Sequence, residues 1–164
     1  MAGPVNPPFA DPVMQLAVQG SVLLCAFHQP AAPIHFHHLH EAAALLASRC
    51  PEGMGMIVLL CGGAGQPESG SREVAVDMLK RLDTRLLSAT VMIQTPGMGG
   101  TLLRSLISTL LLVARRRNVQ IVANLDAAVQ GLIATMQEAK GKPPPMLSLL
   151  QTGRALMAPF KAPA

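Results

Sequence analysis

Val22-Leu23-Leu24-Cys25-Ala26-Phe27 is an unbroken apolar run, preceded by the turn signal Gln19-Gly20-Ser21 and followed by the loop Gln29 to Pro33. A run of this length between breakers reads as a strand buried on both faces. Met56 to Cys61 and Ala89 to Gln94 repeat the pattern, and Val119 to Ala123 gives a shorter version. Helical spacing fills the intervals. From about Phe36 to Cys50, the residues Leu39, Ala42, Ala43, Leu46 and Cys50 fall on one stripe. After the Gly-rich loop Gly62 to Gly70, Ser71 is placed to cap a helix whose stripe is Ala75, Met78, Leu79, Leu82 and Leu86, with Asp77 and Arg81 as an i,i+4 pair.

Pro96-Gly97 closes the third run. Thr101 then opens a helix to Arg115 that is apolar almost all round, broken by Thr101, Arg104, Ser105 and Ser108. Asn124 or Asp126 caps a last helix through about Ala139, with Val129, Leu132, Ile133 and Met136 as its stripe and Gly131 weakening it. Val13 to Val18 alternates weakly and adds a first strand at a sheet edge. The order ββαβαβαβα predicts an α/β single domain with a mostly parallel four- to five-stranded sheet and right-handed crossovers.

Outside this block the chain changes character. Residues 1–12 hold four of the fourteen prolines and are expected to form an extended, disordered Pro-rich arm. Residues 13–139 form the domain. Residues 140–164 form a tail led by the stiff spacer Pro143-Pro144-Pro145, with Pro145 suited to a first helical position. Met146, Leu149 or Leu150, Gly153, Met157 and Phe160 lie near one helical face. Such a short amphipathic segment is not stable alone. The tail therefore needs a surface: its own domain, a second copy, a partner or a membrane. Leu149, Leu150, Leu156, Met157 and Phe160 are its candidate interaction residues.

Half of the 164 residues are hydrophobic, yet there is no Trp or Tyr and only four Phe, so aliphatic side chains and ten Met must build the core. The net charge of +4 rests on a charged share of only 13%, which is a sparse surface, not a basic one. The run Arg115-Arg116-Arg117 reads as the cationic end of a helix. No aromatic stacking residues accompany it, which argues against nucleic acid. The three cysteines are widely spaced, with no Cys-x-x-Cys, as in a reducing compartment. There is no signal-peptide pattern, and no apolar run is long enough for a transmembrane segment. These features predict a cytoplasmic protein.

Chemistry-bearing motifs are few. Gly65-x4-Gly70-Ser71 has P-loop spacing but lacks the lysine before the serine, so nucleoside-triphosphatase activity is not expected. His35, His37, His38 and His40 cluster with Glu41; they read either as a metal site missing its distant ligand or as a solvated helix start. No Ser/His/Asp set and no paired carboxylates appear among nine scattered acids. The expectation is a chain that is not an enzyme and has no cofactor or metal.

The element order, together with Gly97-Met98-Gly99-Gly100-Thr101-Leu102-Leu103-Arg104-Ser105 and a helix opening Asn124-Leu125-Asp126-Ala127-Ala128, resembles the STAS domain, the fold of anti-sigma-factor antagonists, and its SEC14-like relatives, over about Met14 to Gln137. The resemblance implies a bacterial regulatory domain with helices mainly on one face. It also implies a phosphorylated serine ahead of a helix. Glu68-Ser69-Gly70-Ser71 occupies that place, without the family's Asp and after a longer loop, which makes Ser69 and Ser71 candidate phosphorylation sites and leaves capping as their other reading. An apolar sheet with helices on one side needs cover on the other. The leading expectation is a non-enzymatic protein–protein interaction or regulatory module, self-associating or bound to a protein partner, its tail docking on its own domain or that partner. The alternative, from the SEC14-like resemblance and the Met- and Leu-rich interior, is a binder of a lipid or other small apolar ligand.

Overall fold

The computed structural model describes residues 9–94, 97–113 and 118–159. Among the described residues the chain builds one six-stranded sheet whose spatial order is the chain order. The strands are β1 (Phe9–Ala10), β2 (Met14–Gln19), β3 (Val22–Phe27), β4 (Met54–Leu60), β5 (Leu86–Ile93) and β6 (Val119–Val122). The first two pairings are antiparallel and the remaining three are parallel. The helices are α1 (Pro33–Arg49), α2 (Ser71–Leu82), α3 (Gly97–Val113), α4 (Leu125–Glu138) and α5 (Met146–Met157).

Each parallel crossover moves one strand along in the same direction. Crossovers of one hand then lay α1, α2 and α3 on the same face. Leu23, Cys25, Met56, Ala89 and Val91 point to that face and pack with Leu39, Met78, Leu79 and Leu103. The alternate residues Val22, Leu24, Ile57, Leu59 and Met92 point the other way and pack with Leu132 and Met136 of α4 and with Leu149 and Leu156 of α5. All of β3 is buried, as its uninterrupted apolar run requires.

Several expectations need correction. The sheet has six strands, not four to five, because Phe9–Ala10, within the arm expected to be disordered, pairs with Leu16 and Gln15. The helices are not mainly on one face: three cover one side and two the other, because the second face is equally apolar. α3 begins at Gly97, and Thr101 lies inside it with its hydroxyl donating to the Gly97 carbonyl rather than capping. Gly70, not Ser71, caps α2, in the left-handed conformation (φ +90°) that glycine adopts without a Cβ penalty. Asn124 caps α4 as read, its side chain accepting the Ala127 N–H at 2.8 Å. Asp77 and Arg81 pair at 2.9 Å on the exposed face of α2, worth about 0.3–0.5 kcal/mol. Arg115-Arg116-Arg117 lie outside the described residues.

The tail docks on its own chain. Leu149 is 0% exposed, and Gly153 lets α5 approach Leu125 of α4 more closely than a Cβ would permit. Polar bonds fix its course: the Ser21 hydroxyl donates to the Lys142 carbonyl, Thr152 donates to Gln19, and Lys142 pairs with Glu52. The His28 Nε2–H donates to the Leu156 carbonyl at 2.8 Å, in the last turn of α5 where carbonyls lack helical partners. We expect Leu149→Ala to cost about 2–4 kcal/mol in urea unfolding. A chain ending at Lys142 should expose the α4 side of the sheet and bind a hydrophobic dye. Ser88, buried in β5 with no partner for its hydroxyl among the described residues, gives the control: Ser88→Ala should be neutral or stabilising in the same assay.

Candidate functional site

The face under α1, α2 and α3 is incompletely filled. A cavity of about 130 Å³ lies there. Phe27, Met56, Val58, Ala89, Val91 and Val119 line it from the sheet, Phe36 and Leu39 from α1, Ala75 and Met78 from α2, and Leu103, Ile107 and Leu111 from α3. Among the described residues of the lining, Gln29 has the one polar side chain.

The cavity has a sequence cause. Ala64, Ala75 and Ala89 put single methyl groups where the chain has no large aromatic side chain to compensate. α3 reaches the sheet shallowly: Leu103 is buried, whereas Leu106, Ile107 and Leu111 are half-buried.

Phe36, Pro67, Ala75 and Leu106 also line a second cavity of about 230 Å³, bordered by Gln66, Glu68, Ser69 and Arg72 to Glu73. The two spaces thus meet beside the loop leading into α2. Ser69 is exposed at this groove. Ser71 is 1% exposed, and its hydroxyl donates to the Ala31 carbonyl. The candidate phosphorylation pair is therefore one accessible serine and one enclosed, partnered serine. Leu149 and Leu156 are buried against the sheet, Leu150 and Met157 are half-buried there, and Phe160 lies outside the described residues.

No protein family, curated protein or solved structure matches the chain.

The histidines do not gather. His35 is buried: its Nδ1 accepts the Ala32 N–H at 3.0 Å and its Nε2–H donates to Asp11 at 3.0 Å. Those two roles fix the neutral tautomer with the proton on Nε2. Phe9 stacks on His38, 4.3 Å between ring centroids. These contacts pin β1 and the turn at Asp11 to the first turn of α1. Among the described residues no three His, Cys, Asp or Glu side chains converge as metal ligands. The thiols are poor nucleophiles. Burial, with Cys61 adding, pushes Cys25 well up, and burial takes Cys61 to about 11.

The sequence reading missed the Asp11–His35 contact because the two residues are far apart in the chain and a histidine among histidines looks solvated. Desolvation pushes the Asp11 carboxyl up. Hydrogen bonds from Met14, His35 and Val13 outweigh it and hold the carboxyl below its ordinary value of 3.8. A depressed folded value means stability that is present above pH 3.8 and lost as pH falls through the lowered value. Asp11→Asn should therefore flatten the acid limb of a urea-midpoint titration below that pH. His35→Ala should cost about 1–3 kcal/mol at neutral pH, because it removes the partner of Asp11 Oδ2 and of the Ala32 N–H, while Asp11 Oδ1 keeps the Val13 and Met14 N–H groups.

Proposed function

We propose that the protein is a non-catalytic binder of a small apolar molecule, held between α3 and the sheet. The cavity lined by Val91, Ala89, Ile107 and Leu111 carries this reading. Its volume is close to that of an engineered apolar cavity of about 150 Å³ that takes up benzene. The ligand portion it encloses is thus about the size of a benzene ring or a short alkyl chain. The adjoining groove at Gln66 to Glu73 accommodates whatever extends beyond it. The resemblance to SEC14-like proteins supports the same ligand class.

The scarcity of activated groups supports a role without chemistry. The described thiols are held protonated by burial, and His35 is engaged on both ring nitrogens. The interaction-module reading draws less from the tail, since Leu149 and Leu156 face the chain's own sheet. Among the described residues no helix is long and apolar enough to cross a membrane.

Binding is tested by adding benzene or 1-hexanol to the full chain and reading the thermal midpoint and methyl NMR shifts. Both probes should raise the midpoint and shift the methyls of Val91, Leu103 and Ile107. Ala89→Leu fills the space and should abolish these responses while leaving the fold at least as stable. Absence of any response to both probes in the unaltered chain would overturn the reading.

A further inference from the structure

The cavity between α3 and the sheet has a definite length. Three successive rows of side chains form its floor. Met56, Ala89 and Val119 stand in register across β4, β5 and β6, Val58 and Val91 make the next row, and Leu60 and Phe27 the third. Met56 and Leu60 are four residues apart on β4, which is about 13 Å at the rise of a strand. The opposite wall gives the same value. The lining residues of α3 run from Leu103 to Leu111, eight positions, or about 12 Å at the rise of a helix.

The two ends differ in polarity. α3 starts beyond the end of β5 and leads to the start of β6, so Leu111 belongs toward the first row and Leu103 toward the third. At the first row Met56, Ala89, Val119 and Leu111 carry no side-chain nitrogen or oxygen. Beyond the third row the chain leaves the sheet. Gln29 follows Phe27 there, and Gly65 and Pro67 follow Leu60, all three lining the cavity. Pro67 is shared with the groove that holds Gln66, Glu68, Ser69, Arg72 and Glu73. The polar side chains bordering the two spaces thus gather at one end.

We infer that the ligand is an unbranched amphiphile with an uncharged head, its alkyl chain lying along the rows and its head in the groove beside Ser69 and Arg72. This rests on the apolar-ligand reading above and adds to it a length, a direction and a head. One van der Waals separation of about 4 Å, taken off for the end walls, leaves about 9 Å. An extended chain advances about 1.2 Å per bond, so the walls enclose about six to eight carbons. A volume of about 130 Å³ drawn out over that length has the girth of one chain, not of two.

The groove selects the head. Among its described lining residues are two carboxylates, Glu68 and Glu73, and one guanidinium, Arg72, all exposed. Interspersed charges of both signs in contact with water give neither an anion nor a cation a field of its own. Gln66 and Ser69 each offer donors and acceptors. An alcohol or an amide matches such a mouth. A carboxylate or an ammonium head meets a like charge in it, and a bare alkane leaves it unused.

The test titrates the full chain at neutral pH with 1-alkanols from butanol to decanol, with octanoate and octylammonium, and with benzene, followed by amide and methyl NMR shifts. From butanol to octanol the dissociation constant should fall about threefold to fourfold with each methylene. Decanol should gain no more than about threefold over octanol, against about fifteenfold if both further methylenes were buried. Octanoate and octylammonium should each bind at least tenfold more weakly than octanol. The Ser69 and Arg72 amides should move with every alkanol and not with benzene, and the methyls of Leu111 and Val119 should respond to octanol more than to butanol. Affinity that climbs undiminished through decanol, a charged octyl compound that binds as tightly as octanol, or Ser69 and Arg72 amides that ignore the alkanols would each overturn the inference and leave benzene binding, and the apolar pocket with it, standing. Binding by none of the probes would overturn both.

Discussion

Everything in this molecule depends on a parallel sheet that is apolar on both faces. β3 and β4 carry almost no polar side chain, so neither face can be left to water. At about 25 cal/mol per Å² of apolar surface, the side chains of one uncovered face would cost more than a small domain's entire stability. The chain meets this with two unequal covers. Three connecting helices take one face because the strand order is sequential. The other face is covered by the chain beyond the last strand, first by α4 and then by α5 after three prolines.

The second cover is the tighter. Leu132, Met136 and Leu149 are fully buried, Gly153 allows close helix approach, and several polar bonds hold the tail in place. The first is tight under α1 and α2 and loose under α3. Packing density rather than chemistry distinguishes the candidate site: its walls are almost wholly apolar, and Ala64, Ala75 and Ala89 contribute only single methyl groups to them. A loosely seated helix suits a space that admits a ligand.

The architecture was largely legible in the sequence because its strands are short unbroken apolar runs and its helices keep clear stripes. Val22 to Phe27 needed no context to be read as a buried strand. β1 was not legible: Phe9–Ala10 has no periodicity, and it is held by backbone pairing and by Phe9 against His38. The start of α3 was misplaced because Gly97-Met98-Gly99-Gly100 carries a poor helix propensity, which tertiary context overrides. Ser71 looked like a cap and is a buried first-turn residue. The cavity could not be read from any single segment. It is lined jointly by Ala75, Ala89, Ile107 and Leu111, which come from three different elements.

The most direct measurement is a crystal structure of the full chain under xenon pressure. The account predicts xenon density between Ala89 and Val91 of β5 and Ile107 and Leu111 of α3, with those side chains unmoved from the unpressurised crystal. A crystal in which α3 has settled onto β5 and no xenon enters that space would contradict it.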